Sequence, residues 1–191
     1  MKKFALLTAA ALTLSAPAFA ADTYQLDPNH TNVVWNANHF GFSNPDGKFA
    51  SATGTVTLDQ ANPANSKVEV SIATAGIVTG IPKFDEHLKS ADFFNVEKFP
   101  AATFVSDKVE LTGENTAKVH GTLTLLGVAK PLVLDVKLNR IGENPMSKNP
   151  TVGFSATTVI KRSEFGMNYA VPNVSDDGQV SIEAEAFKPA S

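Results

Sequence analysis

Apolar and polar side chains take turns along most of this chain, with the period of two that marks strands buried on one face. "TNVVWNANHF" (31–40) sets Val33, Trp35, Ala37 and His39 on one side, and "KVEVSIAT" (67–74) sets Val68, Val70 and Ile72 together. "ATFVSDKVEL" (102–111) offers Thr103, Val105, Val109 and Leu111 against Phe104, Ser106, Lys108 and Glu110. "AKVHGTLTLL" (117–126) gives Val119, Leu123 and Leu125 opposite His120, Thr122 and Thr124. "KPLVLDVKLNRI" (130–141) gives Leu132, Leu134, Val136 and Leu138 opposite Asp135, Lys137 and Asn139. "GKFASATGTVTL" (47–58), "TVGFSATTVI" (151–160) and "QVSIEAEAF" (179–187) complete a set of eight strands.

Turn chemistry separates these runs: "NPDG" (44–47), "NPANS" (62–66), "TGEN" (112–115), "GENP" (142–145) and "DDG" (176–178). Asn, Asp and Gly tolerate positive φ, and Pro presets a negative one. Eight strands with short connections predict an all-β, antiparallel barrel or sandwich. The pattern breaks once, over residues 75–100. There "KFDEHLKSADFF" has helical spacing, with Phe84, Leu88 and Ala91 at i, i+4 and i+7. A short helix inserted between the third and fourth strands would cover one end of a barrel.

Small residues change what such a barrel would contain. Ala50, Ala52 and Gly54 in one strand, and Ala184 and Ala186 in another, stand where a filled core would want bulk. Eight strands enclose a space that side chains either fill or leave open for one small ligand. The aromatics are lopsided too, with 13 Phe against one Trp and two Tyr. Phe84, Phe93, Phe94, Phe99 and Phe104 fall close together, and phenyl rings carry no polar handle. They predict either a plug at the barrel end or the mouth of a pocket for an apolar chain.

The chain's start adds an address. Lys2 and Lys3, an uncharged apolar stretch from Phe4 to Ser15, and Ala18-Phe19-Ala20 together read as a signal peptide over residues 1–20, cleaved after Ala20. That run is too short to span a bilayer, which takes about 20 residues. The mature barrel would then be residues 21–191, exported to the periplasm with no integral membrane segment. The formal charge of −3 loses two lysines on cleavage and becomes −5. That balance argues against nucleic acid and anionic surfaces as partners. With no cysteine, neither disulfides nor thiol chemistry is available.

Candidate polar chemistry is sparse. His30, His39, His87 and His120 show no H-x-H or H-E-x-x-H spacing, so no metal is expected. Asp85 and His87 could serve an acid-base enzyme, but residues i and i+2 of a helix do not share a face. No G-x-S-x-G, P-loop or G-x-G-x-x-G is present. No catalytic residue and no cofactor is therefore assigned. A filled-core structural protein remains the other alternative.

"DEHLKSADFFNVEKFPAATFVSDKVE" (85–110) and "VHGTLTLLGVAKPLVLDVKL" (119–138) closely resemble the YceI-like family of periplasmic, lipocalin-like, polyisoprenoid-binding proteins. The opening "DPNHTNVVWNANHFGFSNPDGKF" and the closing "VIKRSEFGMNY" and "GQVSIEAEAF" match as well. The resemblance implies an eight-stranded antiparallel lipocalin-like barrel with a helix across one opening. It implies a long isoprenoid lipid as ligand, of quinone or prenyl-phosphate type, or another amphiphile. It is compatible with a homodimer. Two departures stand out: Phe84-Asp85 replaces the family's usual Arg-Asp pair, and the lipocalin G-x-W is absent around Trp35. The expected ligand contacts are Trp35, His39, Phe40, Phe84, His87, Phe93, Phe94, Phe99, Arg162 and Phe165, with His39 and Arg162 at the head group.

Overall fold

The computed structural model describes residues 21–50 and 52–189. The expected signal segment and its cleavage point lie outside the described residues. The described residues form one closed antiparallel β-barrel with one short α-helix.

Eleven strand segments make eight staves. In chain order they are β1 (Asp22–Leu26), β2 (Asn32–Asn36), β3 (Asp46–Phe49), β4 (Ala52–Leu58), β5 (Lys67–Ala73) and β6 (Ile77–Val78). After helix α1 (Pro82–Lys89) come β7 (Ala101–Leu111), β8 (Thr116–Leu125), β9 (Val128–Glu143), β10 (Pro150–Lys161) and β11 (Asp177–Phe187). β1–β4–β5–β7–β8–β9–β10–β11 run in sequence around the ring, and β1 closes it on β11. β2 continues β1 along β11, β3 precedes β4 on the same stave, and β6 continues β5. The eight expected strands are thus present, but the first three staves are broken. β1, which is not among the expected strands, supplies half of the first one, with Tyr24 and Leu26 inward.

One expected face is wrong. Val105 lies outside, 48% exposed, while Phe104 is buried. A β-bulge between Ser106 and Lys108 inserts Asp107, so inward positions switch from even to odd, and Val109 then points in. Ala50 is exposed at the break between β3 and β4 rather than inside. Gly54 has φ +150, and a Cβ there would stand 2.1 Å from the Glu69 carbonyl oxygen, so only glycine lets β4 approach β5 at this point.

The insertion seals a gap. β6 has no neighbour on its far side among the described residues, so the ladder is open between it and β7. Phe94 packs against buried residues of both walls, the Val33–Phe49–Ile77–Leu88 cluster and the Phe104–Leu123–Leu125 cluster. Its ring meets Phe49 edge-on at 5.2 Å. Thr74 anchors the exit, its hydroxyl donating to the Phe99 carbonyl at 2.7 Å. Helix α1 starts at Pro82, whose missing N–H costs nothing there, and stops two residues before the expected Ala91.

A turn between β1 and β2 carries a polar pair. His30 Nδ1 lies 2.7 Å from Asp27 Oδ2, with Glu185 nearby on β11. The ligating atoms of all three lie within 4.8 Å of one another, but Asp27 and His30 already satisfy each other. Hydrogen bonding to Asp27 raises the His30 pKa above its ordinary 6.5, and the same bond lowers that of Asp27 below 3.8. The His30 contribution is therefore complete below pH 6.5 and fades as pH rises through the raised value. The Asp27 contribution is complete above pH 3.8 and fades as pH falls through the lowered one. His30→Gln should lower Tm most between about pH 4 and 6.5, with the difference shrinking above that range. Melting curves of both proteins at stepped pH check it; a constant difference would show that the pair does not titrate with folding.

Candidate functional site

Inward positions of a packed core are normally closed to solvent. Here Leu132, Leu134, Val136 and Leu138 alternate with exposed neighbours, so they point inward, yet each is only half-buried. They face a cavity of about 780 Å³ that runs through the barrel, walled almost wholly by apolar side chains. It meets His39, Phe40, His87, Arg162 and Tyr169 at the helical end and Gln60, Pro63, Glu114, Asn115 and Thr116 at the other. The volume lies inside the range of about 300–1,000 Å³ typical of small-molecule sites. Ala52, Ala102, Ala117, Ala156 and Ala184 on the wall explain why it is open.

Eight of the ten expected contacts reach the cavity wall: Trp35, His39, Phe40, Phe84, His87, Phe93, Phe94 and Arg162. Phe99 and Phe165 do not. The Phe99 ring covers Gly127, whose Cβ would fall 2.9 Å from it, and Lys98 Nζ lies 5.1 Å above its centroid. Phe165 is buried in the Ala102, Phe104, Leu123, Leu125 cluster. Tyr169 and Met167 also reach the wall. They sit in an aperiodic loop where no strand or helix pattern could mark them.

The helical-end mouth has an aromatic jamb. His87 meets Phe93 edge-on at 4.9 Å and Tyr169 at 5.2 Å, and Phe93 lies 5.3 Å from Tyr169. Deeper in, Trp35 stands edge-on to Phe84 at 6.4 Å. The Trp35 Nε1 is buried without a hydrogen-bond partner, although buried indoles usually find one.

Arg162 is 9% exposed and has no carboxylate within ion-pair distance among the described residues. Its Nε donates to the Ser175 carbonyl at 2.9 Å and Nη2 to that of Val174 at 3.1 Å. Nη1 and Nη2 reach the Tyr169 carbonyl at 3.4 and 3.5 Å. Burial lowers its pKa, and nearby Asp176 partly offsets this. A guanidinium still keeps its charge. The cation therefore ties residues 169–175 to the mouth and places positive charge there.

Asp85 and His87 have separate hydrogen-bond partners. Asp85 Oδ1 accepts from the Thr79 N–H at 2.7 Å and its hydroxyl at 2.6 Å, which lowers the carboxyl pKa. His87 Nε2 lies 3.3 Å from Asp92 Oδ2 instead. His39 is exposed and joins residues 37–45 to Val174 by an isolated β-bridge, having left the strand at Asn36.

Residues 24–186 match the YceI-like domain family. A UPF0312 protein of Pseudomonas putida strain W619 is 39% identical over 168 residues, 87% of either chain. A crystal structure of a Campylobacter jejuni YceI protein superposes with a TM-score of 0.72 at 33% identity, covering 80% of this chain and 90% of that one. A Saccharophagus degradans domain described as polyisoprenoid-binding shares the fold, with a TM-score of 0.68 at 15% identity over 90% of this chain and all of that one.

Proposed function

This chain belongs to the YceI-like domain family, and from that premise we propose that it is a periplasmic, non-enzymatic carrier of a long isoprenoid lipid. The ligand is of quinone or prenyl-phosphate type and is held for transport, storage or sequestration. The observation that carries the reading is the apolar, end-to-end cavity of about 780 Å³. Burying about ten methylenes at roughly 0.8 kcal/mol each supplies about 8 kcal/mol before ordering costs, close to the free energy of a micromolar complex. The related fold described as polyisoprenoid-binding supports this ligand class. At the mouth, Arg162 supplies the charge and His39 the second polar contact to a head group.

Native mass spectrometry of protein purified from the periplasm, with organic extraction of its contents, is the direct test. A stoichiometric adduct with isoprene-unit spacing supports the carrier reading. Clean apoprotein that takes up no added quinone or prenyl lipid overturns it.

Trp35 is the chain's single tryptophan and lies on the cavity wall. Titration with a prenyl quinone should quench its emission and saturate at one equivalent. Trp35→Phe should abolish the signal while mass spectrometry still shows the adduct. Emission unchanged at saturation would place the ligand elsewhere.

A further inference from the structure

Three loops at the helical mouth carry no formal charge, and helix α1 beside them sets Lys83 and Lys89 against Asp85 and Glu86, with Arg162 buried beneath. Residues 37–45 (ANHFGFSNP), 79–82 (TGIP) and 166–175 (GMNYAVPNVS) at the helical end hold no Asp, Glu, Lys or Arg, in a chain that is 18% charged. The opposite end carries Asp59, Glu114 and Lys148 in its loops. The uncharged segments lie side by side. The Phe40 N–H donates to the Asn173 carbonyl and the Asn38 N–H to Ser175 Oγ, both at 2.9 Å. Thr79 stands beside Gly47 at the base of the 37–45 loop.

This end also exposes large apolar side chains: Phe42 at 91%, Ile81 at 60%, Phe40 at 50%. Phe40 adopts φ +55, a conformation that is costly for a bulky residue. The surrounding bonds enforce it, with the Gly41 N–H donating to Asn38 Oδ1 at 2.8 Å and the Phe42 N–H to the His39 carbonyl at 3.0 Å. Strain of this kind persists where the fold over-determines it, and it gathers at functional sites. Here it holds two phenyl rings outward. Phe40 belongs to both surfaces, the exposed lip and the cavity wall, so the apolar lining continues unbroken onto the outside.

We propose that this mouth docks on a zwitterionic lipid bilayer, with Phe42 and Phe40 entering the interface, so that the occupant passes between bilayer and barrel without crossing water. The proposal rests on reading the tunnel as a lipid site. Absence of formal charge over three adjoining loops complements a surface without net charge. Aromatic side chains are favoured at the membrane interface. The acidic chain gains nothing from anionic lipid.

Phe42 is not on the cavity wall, so Phe42→Ser leaves the binding residues intact. Met146, also 91% exposed but at the other end, is the matched control. Without quinone, Phe42→Ser should weaken co-sedimentation with phosphatidylcholine vesicles by about tenfold. Met146→Ser should behave as wild type. Extraction of a prenyl quinone from such vesicles, followed by Trp35 quenching, should slow similarly in Phe42→Ser, with affinity for detergent-dispersed quinone unchanged. Equal co-sedimentation of wild type and Phe42→Ser overturns the proposal. So does an equal loss in Met146→Ser, or a wild-type dimer that Phe42→Ser converts to monomer. Vesicle binding that depends on Phe42 in a protein that takes up no quinone supports the docking surface while removing the carrier reading.

Discussion

Ala184→Phe should leave the barrel folded and abolish the lipid uptake proposed for it. Ala184 lies on β11 opposite Phe154 of β10, and it is half-buried only because it faces the cavity. In a close-packed core an added phenyl group costs about 1–3 kcal/mol. Here the ring enters existing space, so Tm should stay level or rise. The same ring obstructs the path of a chain lying through the tunnel. Displacing about five methylenes removes about 4 kcal/mol, or roughly a thousandfold in affinity. Native mass spectrometry and a melting curve read the two effects together. An adduct at wild-type stoichiometry would mean that the ligand does not run past β11. A large fall in Tm would mean that the space is already filled.

Arg162→Leu should be the most damaging change at the mouth. It strips donors from the carbonyls of Tyr169, Val174 and Ser175. The bonds to Val174 and Ser175 are part-buried, and a hydrogen bond from a charged donor contributes about 1.5–3 kcal/mol, so the loss totals about 4 kcal/mol. At roughly 2–4 °C per kcal/mol for a domain of this size, Tm should fall by roughly 10 °C. Arg162→Lys should recover little, because an ammonium cannot hold three carbonyls in the geometry of a planar fork. Limited proteolysis should then cut within residues 166–175, where wild type resists. A Tm within a few degrees of wild type would show that this loop is held by its apolar contacts and not by the guanidinium.

Legibility followed periodicity. β8 and β9 could be placed with their faces because Val119, Leu123 and Leu125, and Leu132 to Leu138, alternate without interruption. β7 could not, because a bulge adds one residue and reverses the faces without altering composition. Trp35 and Phe84 were recoverable from spacing. Phe99 looked identical to Phe93 and Phe94 in sequence and parted from them only where the chain turns at Asn95, φ +43. Tyr169 and Met167 gave no period, and only the absence of charge in their loop could have marked it. The openness of the tunnel was legible as alanines on inward positions, but Ala50 shows that the same signal can mark a break.

The breaks in the first three staves adjoin one another. Phe49 pairs with Val33 and Ile77, while beyond the break Ala52 pairs with Ile72, and the Ala50 N–H donates to the Gly76 carbonyl across it. Closure of the ring uses β1, β4 and β5, all on one side of this crease. On the other side β6 ends the ladder among the described residues, and side chains of the insertion, Phe84, Leu88, Phe93 and Phe94, pack there instead. Mechanically the molecule is a hoop joined to a sleeve with an unstitched seam. The hoop resists widening through continuous ladders of hydrogen bonds. Along its seam the sleeve is held by side-chain packing and by a few bonds at its ends, Thr79 to Asp85 and Thr74 to Phe99 and Pro100, and not by a continuous ladder. One tube thus has two kinds of wall, one tied by ladders and one closed by packing.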